Sequence, residues 1–81
     1  MIQTPIIISK NRVSELRARY HITQEELAKY LHLKPSNYRK KEKEFSLWKE
    51  NEMHLIIYLF NTQYGENLSM EDVFSAEVIE M

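Results

Sequence analysis

Apolar residues recur at helical spacing in the first part of the chain. Val13, Leu16 and Tyr20 lie three and then four positions apart, on one face of a helix. This spacing predicts a first helix over residues 10–20, with Ser9 as its N-cap.

The next two helices are indicated by their ends. Thr23 and Glu26 form a capping-box pattern at the start of a second helix, which extends to Leu31. Pro35 suits the first turn of a third helix, because the N–H that proline lacks has no intrahelical partner there. His32 lies between them and belongs to a residue type enriched at positive φ, so we expect a tight turn.

The longest predicted helix covers residues 48–63, and its middle is apolar on nearly every side. A helix of this kind is covered all round, either by its own small domain or by a partner. Gly65 is expected to end this region in the left-handed conformation. Ser69 and Asp72 form a second capping-box pattern, which begins a short helix over residues 70–74.

Both chain ends have strand-like patterns. Residues 4–9 contain three consecutive β-branched isoleucines, and residues 76–81 alternate apolar with acidic positions. Each is too short to be a stable strand alone, so the two either pair, within one chain or between two, or remain loose ends. We therefore expect an all-α, five-helix domain over 10–74, an extended segment over 1–9 and a tail over 75–81.

Composition limits the class of protein. The chain has 81 residues, 43% of them hydrophobic, with one glycine, two prolines and no cysteine. This length fits one small domain, and the hydrophobic fraction is too high for a disordered chain. The lack of cysteine excludes disulfides and thiolate metal sites. No segment has the pattern of a signal peptide or a membrane span, which predicts a cytoplasmic protein.

Charge is divided unevenly along the chain. Residues 1–49 hold all eleven Lys and Arg with five acids, a net charge of +6, whereas residues 50–81 hold seven acids and no Lys or Arg, a net charge of −7. The basic part points to an anionic partner, and the alternative is a chance distribution of solvated charges.

Residues 24–42 have the spacing of a helix-turn-helix, with the small Ala28 in its first helix and Tyr38 in its second. Residues 12–74 resemble the phage-repressor and Cro-like helix-turn-helix family, also called the xenobiotic-response-element family. The resemblance implies a lambda-repressor-like fold whose second and third helices bind DNA. Lys41 takes a position that is more often apolar in this family. The residues that carry the likeness are Leu16, Arg17, 22–28, Leu31, Leu33, 38–42 and 68–74.

In such a domain the third helix lies in the major groove, with its N-terminal residues at the base edges. Asn37 can pair with adenine, Lys40 can donate to guanine, and Pro35 offers only apolar contact. The residues expected at the bases are Pro35, Ser36, Asn37 and Lys40. Those expected at phosphates are Gln24, Lys34, Arg39, Lys41, Lys43 and Arg19.

Other polar residues are expected to be structural. By the resemblance, Arg17 and Glu42 form a partly buried ion pair between the first helix and the end of the third, and Tyr38 belongs to the core. We expect no metal site, no cofactor and no catalysis, because no nucleophile or phosphate loop accompanies the carboxylates and the histidines lack ligand spacing. These histidines are His21, His32 and His54.

The apolar surplus of the long helix predicts an exposed association patch and a homodimer. The residues expected in its interface are Tyr58, Phe60, Phe74, Val78, Ile79 and Met81. The leading functional hypothesis is a small sequence-specific transcriptional regulator, a phage or mobile-element repressor or Cro-like protein bound to double-stranded DNA. The alternative is an interaction module or antitoxin that binds a partner protein through its acidic, apolar C-terminal half.

Overall fold

The computed structural model describes residues 6–79, and side chains over residues 11–75. This part of the chain contains five α-helices, which confirms the predicted all-α class, together with one pair of short strands. In chain order the elements are β1 (Ile6–Asn11), α1 (Val13–Arg19), α2 (Gln24–Tyr30), α3 (Pro35–Lys43), a 3₁₀ turn (Phe45–Leu47), α4 (Glu50–Gln63), α5 (Met70–Val73) and β2 (Phe74–Ile79).

Several helix ends form as their local sequence predicts. At the start of α2 the Thr23 hydroxyl accepts from the backbone N–H of Glu26 at 3.1 Å, and the Glu26 carboxylate accepts from the backbone N–H of Thr23 at 3.0 Å. Ser69 and Asp72 make the same reciprocal pair at the start of α5. Gly65 has a φ of 71°, in the left-handed region that a residue without a β-carbon adopts freely.

Other predicted boundaries are wrong, two of them because a strand takes residues that were assigned to a helix. Ser9 belongs to β1 and does not cap α1, which begins only at Val13. Phe74 begins β2, so α5 ends one residue earlier than expected. Trp48 follows the 3₁₀ turn, and α4 starts two residues later than predicted.

The two strands pair with each other inside one chain. β1 runs antiparallel to β2, with Ile6 opposite Ile79 and Asn11 opposite Phe74. Of the alternatives left open by the sequence, pairing within the chain is therefore the one that forms. Residues 1–5 and 80–81, at the outer ends of the predicted segments, lie outside the described residues.

The core is a single cluster to which all five helices contribute. Tyr38, buried as predicted, meets the Trp48 ring edge-on at 5.9 Å between centroids, and Trp48 meets Phe74 at 5.7 Å. These rings fix α3 against the 3₁₀ turn and the start of β2. The buried members are Val13, Leu16, Ile22, Leu27, Ala28, Leu31, Tyr38, Trp48, Ile56, Phe60, Val73 and Phe74.

Candidate nucleic-acid interface

A tight turn joins α2 to α3. His32 follows the end of α2 with a φ of 58°, which reverses the chain as the sequence predicts. The backbone N–H of Leu33 then donates to the carbonyl of Ala28 at 2.8 Å. Leu27, Ala28 and Leu31 are buried beneath this turn, so the two helices are held against the core at a fixed angle.

The two sides of α3 have different roles. Tyr38, Lys41 and Glu42 are three and four positions apart and form its inward face, because residues at this spacing share one side of a helix. Ser36 and Lys40, four positions apart, lie on the outward face and are exposed. The one acid within α3, Glu42, therefore points away from solvent.

Arg17 and Glu42 form the expected ion pair between α1 and α3. Arg17 Nε lies 3.0 Å from Glu42 Oε2, and Arg17 Nη2 lies 3.2 Å from Oε1. The two side chains are 20% and 7% exposed, and Arg17 Nη1 also donates to the carbonyl of Ile22 at 3.0 Å. Hydrogen bonding to Glu42 raises the pKa of Arg17, so its guanidinium stays charged in this bidentate contact.

Lys41 is not part of the exposed basic surface, so its predicted role at a phosphate is wrong. Its Nζ lies 2.8 Å from Glu52 Oε1 and 2.8 Å from the carbonyl of Leu47, and the side chain is only 12% exposed. The spacing from Tyr38 turns Lys41 inward. The carboxylate of Glu52, at the start of α4, neutralises the charge of Lys41.

Asn11 holds the C-terminal end of α3, and sequence reasoning missed it. Its Nδ2 donates to the carbonyls of Lys41 at 3.0 Å and Glu42 at 2.8 Å. Its Oδ1 accepts from the indole Nε1 of Trp48 at 3.3 Å. The last carbonyls of a helix have no intrahelical partner, so Asn11 satisfies two of them from 30 positions away. No local pattern signals such a contact.

Two further residues expected at phosphates already have protein partners. Gln24 Nε2 donates to Glu42 Oε1 at 3.3 Å and so joins the Arg17–Glu42 pair. Arg19 Nη1 lies 2.8 Å from Glu66 Oε1, which also accepts from the hydroxyl of Tyr20. These contacts lower the pKa of Glu66 and direct Arg19 toward the segment that follows α4.

Seven exposed residues at the start and along the outer side of α3 form what we call the basic α3 surface. Four of them are cations, and none of the seven side chains makes a hydrogen bond or ion pair within the described part of the chain. No side chain caps the N-terminus of α3, where the helix dipole is positive. The members are Lys34, Pro35, Ser36, Asn37, Arg39, Lys40 and Lys43.

The predicted dimer interface is partly wrong. Phe60 and Phe74 are buried in the core of their own chain and are not available to a partner. Tyr58, by contrast, is 63% exposed on α4. Val78 and Ile79 pair through their backbones in the sheet, but their side chains lie outside the described part of the structure, as does all of Met81.

The described side chains include no group of three or more His, Asp or Glu that could hold a metal ion. Nor does any helix between residues 6 and 79 have the length and apolar character needed to cross a membrane. Comparison of the chain with protein-family models, curated proteins and solved structures finds no match.

Proposed function

We propose that this protein is a sequence-specific DNA-binding regulator that inserts the N-terminal half of α3 into the major groove. The observation that carries the proposal is the basic α3 surface, where Lys34, Arg39, Lys40 and Lys43 are exposed and unpaired within the described residues. The one acid of the helix, Glu42, is turned inward and neutralised by Arg17. A helix that is cationic outward and anchored inward suits an anionic groove.

Four members of the basic α3 surface supply the chemistry of base recognition. Asn37 can donate and accept at one adenine edge, and Lys40, one turn further along, can donate to guanine O6 or N7. Each such contact discriminates against a wrong base by about 1–3 kcal/mol. Ser36 can donate to either base type, and Pro35 can contact a thymine methyl group.

The remaining cations supply affinity that does not depend on sequence. Lys34, Arg39 and Lys43 are the phosphate contacts that the structure leaves available, because Lys41, Arg19 and Gln24 are engaged elsewhere in the protein. Each phosphate contact contributes about −0.9 to the slope of log K against log salt concentration. Three contacts therefore predict a slope of about −3 for each protomer.

The proposal is tested by a gel-shift titration at several salt concentrations, with an Asn37→Ala, Lys40→Ala double variant. We expect the affinity of the wild type for DNA to fall steeply as the salt concentration rises. The double variant should lose its preference for specific over random DNA. Its circular dichroism should show the same helical content as the wild type. Lys29→Ala is the matched control, because Lys29 is an exposed cation of α2 outside the basic α3 surface. Unchanged discrimination by the double variant would refute the assigned surface.

The alternative, a module or antitoxin that binds a partner protein, draws support from the acidic second half of the chain and from the exposed aromatic side chain of Tyr58. It predicts no shift of any DNA, even at low salt. By the family resemblance, the regulator would be a phage or mobile-element repressor or Cro-like protein, acting in the cytoplasm as a dimer on two half-sites.

A further inference from the structure

The side chain of Asn11, at the end of β1, connects three segments of the chain. Its Nδ2 donates to the carbonyls of Lys41 and Glu42 in the last turn of α3. Its Oδ1 accepts from the indole Nε1 of Trp48, which follows the 3₁₀ turn. A carbonyl only accepts and an indole N–H only donates, so this position needs a short side chain that does both. The amide of asparagine meets this need.

The backbone that carries Asn11 is itself held by the fold. Asn11 lies opposite Phe74 in the pairing of β1 with β2, and the backbone N–H of Arg12 donates to the carbonyl of Val73 at 3.1 Å. Val73 and Phe74 are both buried in the core. Asn11 therefore contacts α3 from a position that the strand pair fixes.

The contact of Asn11 differs in kind from the two ion pairs of α3. Lys41 and Glu42 reach their partners through flexible side chains, whose torsions can absorb a shift of the helix backbone. Asn11 instead bonds two backbone carbonyls of α3 directly. The turn at His32 holds the beginning of α3, so Asn11 fixes where the helix backbone ends and, with it, the tilt of the helix.

A small change of this tilt would displace the side chains proposed to read bases. Lys40 lies five positions after Pro35, the first residue of α3, which is about 7.5 Å along the helix axis. A tilt of about 10° at the start of the helix therefore moves the backbone of Lys40 by about 1.3 Å. The groups of a binding site must be held within about 0.5 Å of their productive positions. A tilt of this size is enough to misplace Lys40 at a base edge.

We propose that Asn11 is a positioning residue for DNA recognition, which fixes the tilt of α3 and so places Asn37 and Lys40 at the bases. It rests on the proposed function for its DNA partner. Asn11 acts through α3, because its amide nitrogen already donates to two carbonyls of that helix. Loss of this contact lowers the preference for a specific site and leaves the salt-dependent affinity of the basic α3 surface in place.

Residual dipolar couplings of backbone N–H groups, in the protein without DNA, measure the direction of α3 relative to α1 and α4. The test variant is Asn11→Leu, which is similar in size and removes the hydrogen bonds. The control is Asn61→Leu, because the Asn61 amide also bonds backbone at both ends, to Leu68 at 3.0 and 2.8 Å, but holds the segment after α4. We expect α3 to turn by about 10° or more only in Asn11→Leu.

Gel-shift titrations then compare the dissociation constants for a site selected from random DNA and for random DNA itself. In Asn11→Leu the ratio of these constants should fall by about tenfold, the discrimination of one base contact, while the salt dependence on random DNA stays unchanged. Asn61→Leu should keep the wild-type ratio. A loss of folded protein alone would weaken both complexes equally and leave the ratio unchanged.

Circular dichroism checks that the variants are folded. If Asn11→Leu does not fold, Asn11→Gln replaces it with the same expected outcomes, because it keeps the amide and moves it by one methylene group. An unchanged direction of α3, an unchanged ratio, or equal effects of Asn61→Leu would overturn the proposal. A wild type that binds no DNA would reject the proposed function, and the dipolar couplings would still decide whether Asn11 sets the tilt of α3.

Discussion

His21 and His32 both follow a helix with a left-handed backbone conformation, at φ values of 57° and 58°. A residue with a β-carbon is strained there by about 1–2 kcal/mol, whereas glycine is not. Both side chains are exposed, and neither makes a hydrogen bond or ion pair within the described residues. The two turns that set the directions of α2 and α3 therefore carry backbone strain that no hydrogen bond or ion pair of these two side chains offsets among the described residues.

His32→Gly is expected to stabilise the fold, because relief of the backbone strain exceeds the extra entropy that glycine gives the unfolded chain. The net gain should be about 0.5 kcal/mol, measured from the midpoint of urea unfolding. Lys29→Gly, at a right-handed position of α2, is the control and should cost about 1 kcal/mol. If both variants were destabilised to the same extent, His32 would not be strained.

Among the elements, α3 is anchored along its inward side and exposed along its outward side. Asn11 bonds its terminal carbonyls, Arg17 pairs with Glu42, and Glu52 pairs with Lys41. All three contacts lie in the last turns of the helix. Its outward side carries exposed side chains from Ser36 in the first turn to Lys43 in the last, and these have no hydrogen-bond or ion-pair partner among the described residues. Variants on the two sides should consequently separate stability from binding.

Arg17→Ala is expected to destabilise the protein by about 3 kcal/mol, because it leaves the 7% exposed carboxylate of Glu42 without its cation. Replacing both partners by apolar residues, as Arg17→Met with Glu42→Leu, should recover most of this loss. Chemical denaturation of the single and double variants measures both effects. Glu15→Ala, which removes an exposed pair with Arg12, should leave the midpoint nearly unchanged. An Arg17→Ala midpoint equal to that of Glu15→Ala would contradict a buried, stabilising pair.

Features that the residue pattern alone predicts correctly depend on neighbours only a few positions away. The capping box at Thr23 and the left-handed turn at His32 depend on neighbours up to four positions away. Lys41, Asn11 and Phe74 could not be assigned in this way, because their environments come from distant segments. The pairing of β1 with β2 brings the ends of the described chain together and carries Phe74 into the core.

The charge of the whole molecule is divided between ion pairs and one exposed basic surface. The chain carries a net charge of −1, yet several cations of its first half are neutralised by ion pairs with acids from both halves. Lys34 and the cations of α3 that have no partner among the described residues form the basic α3 surface.

Selection of binding sites from a pool of random double-stranded DNA tests the proposed function most directly. The proposal predicts one enriched family of sequences, built from two inverted half-sites whose centres lie about 10 base pairs, one helical turn, apart. The Asn37→Ala, Lys40→Ala variant should lose this enrichment while it retains weak, salt-dependent binding. Enrichment of no sequence by the wild type, even at low salt, would contradict the proposal.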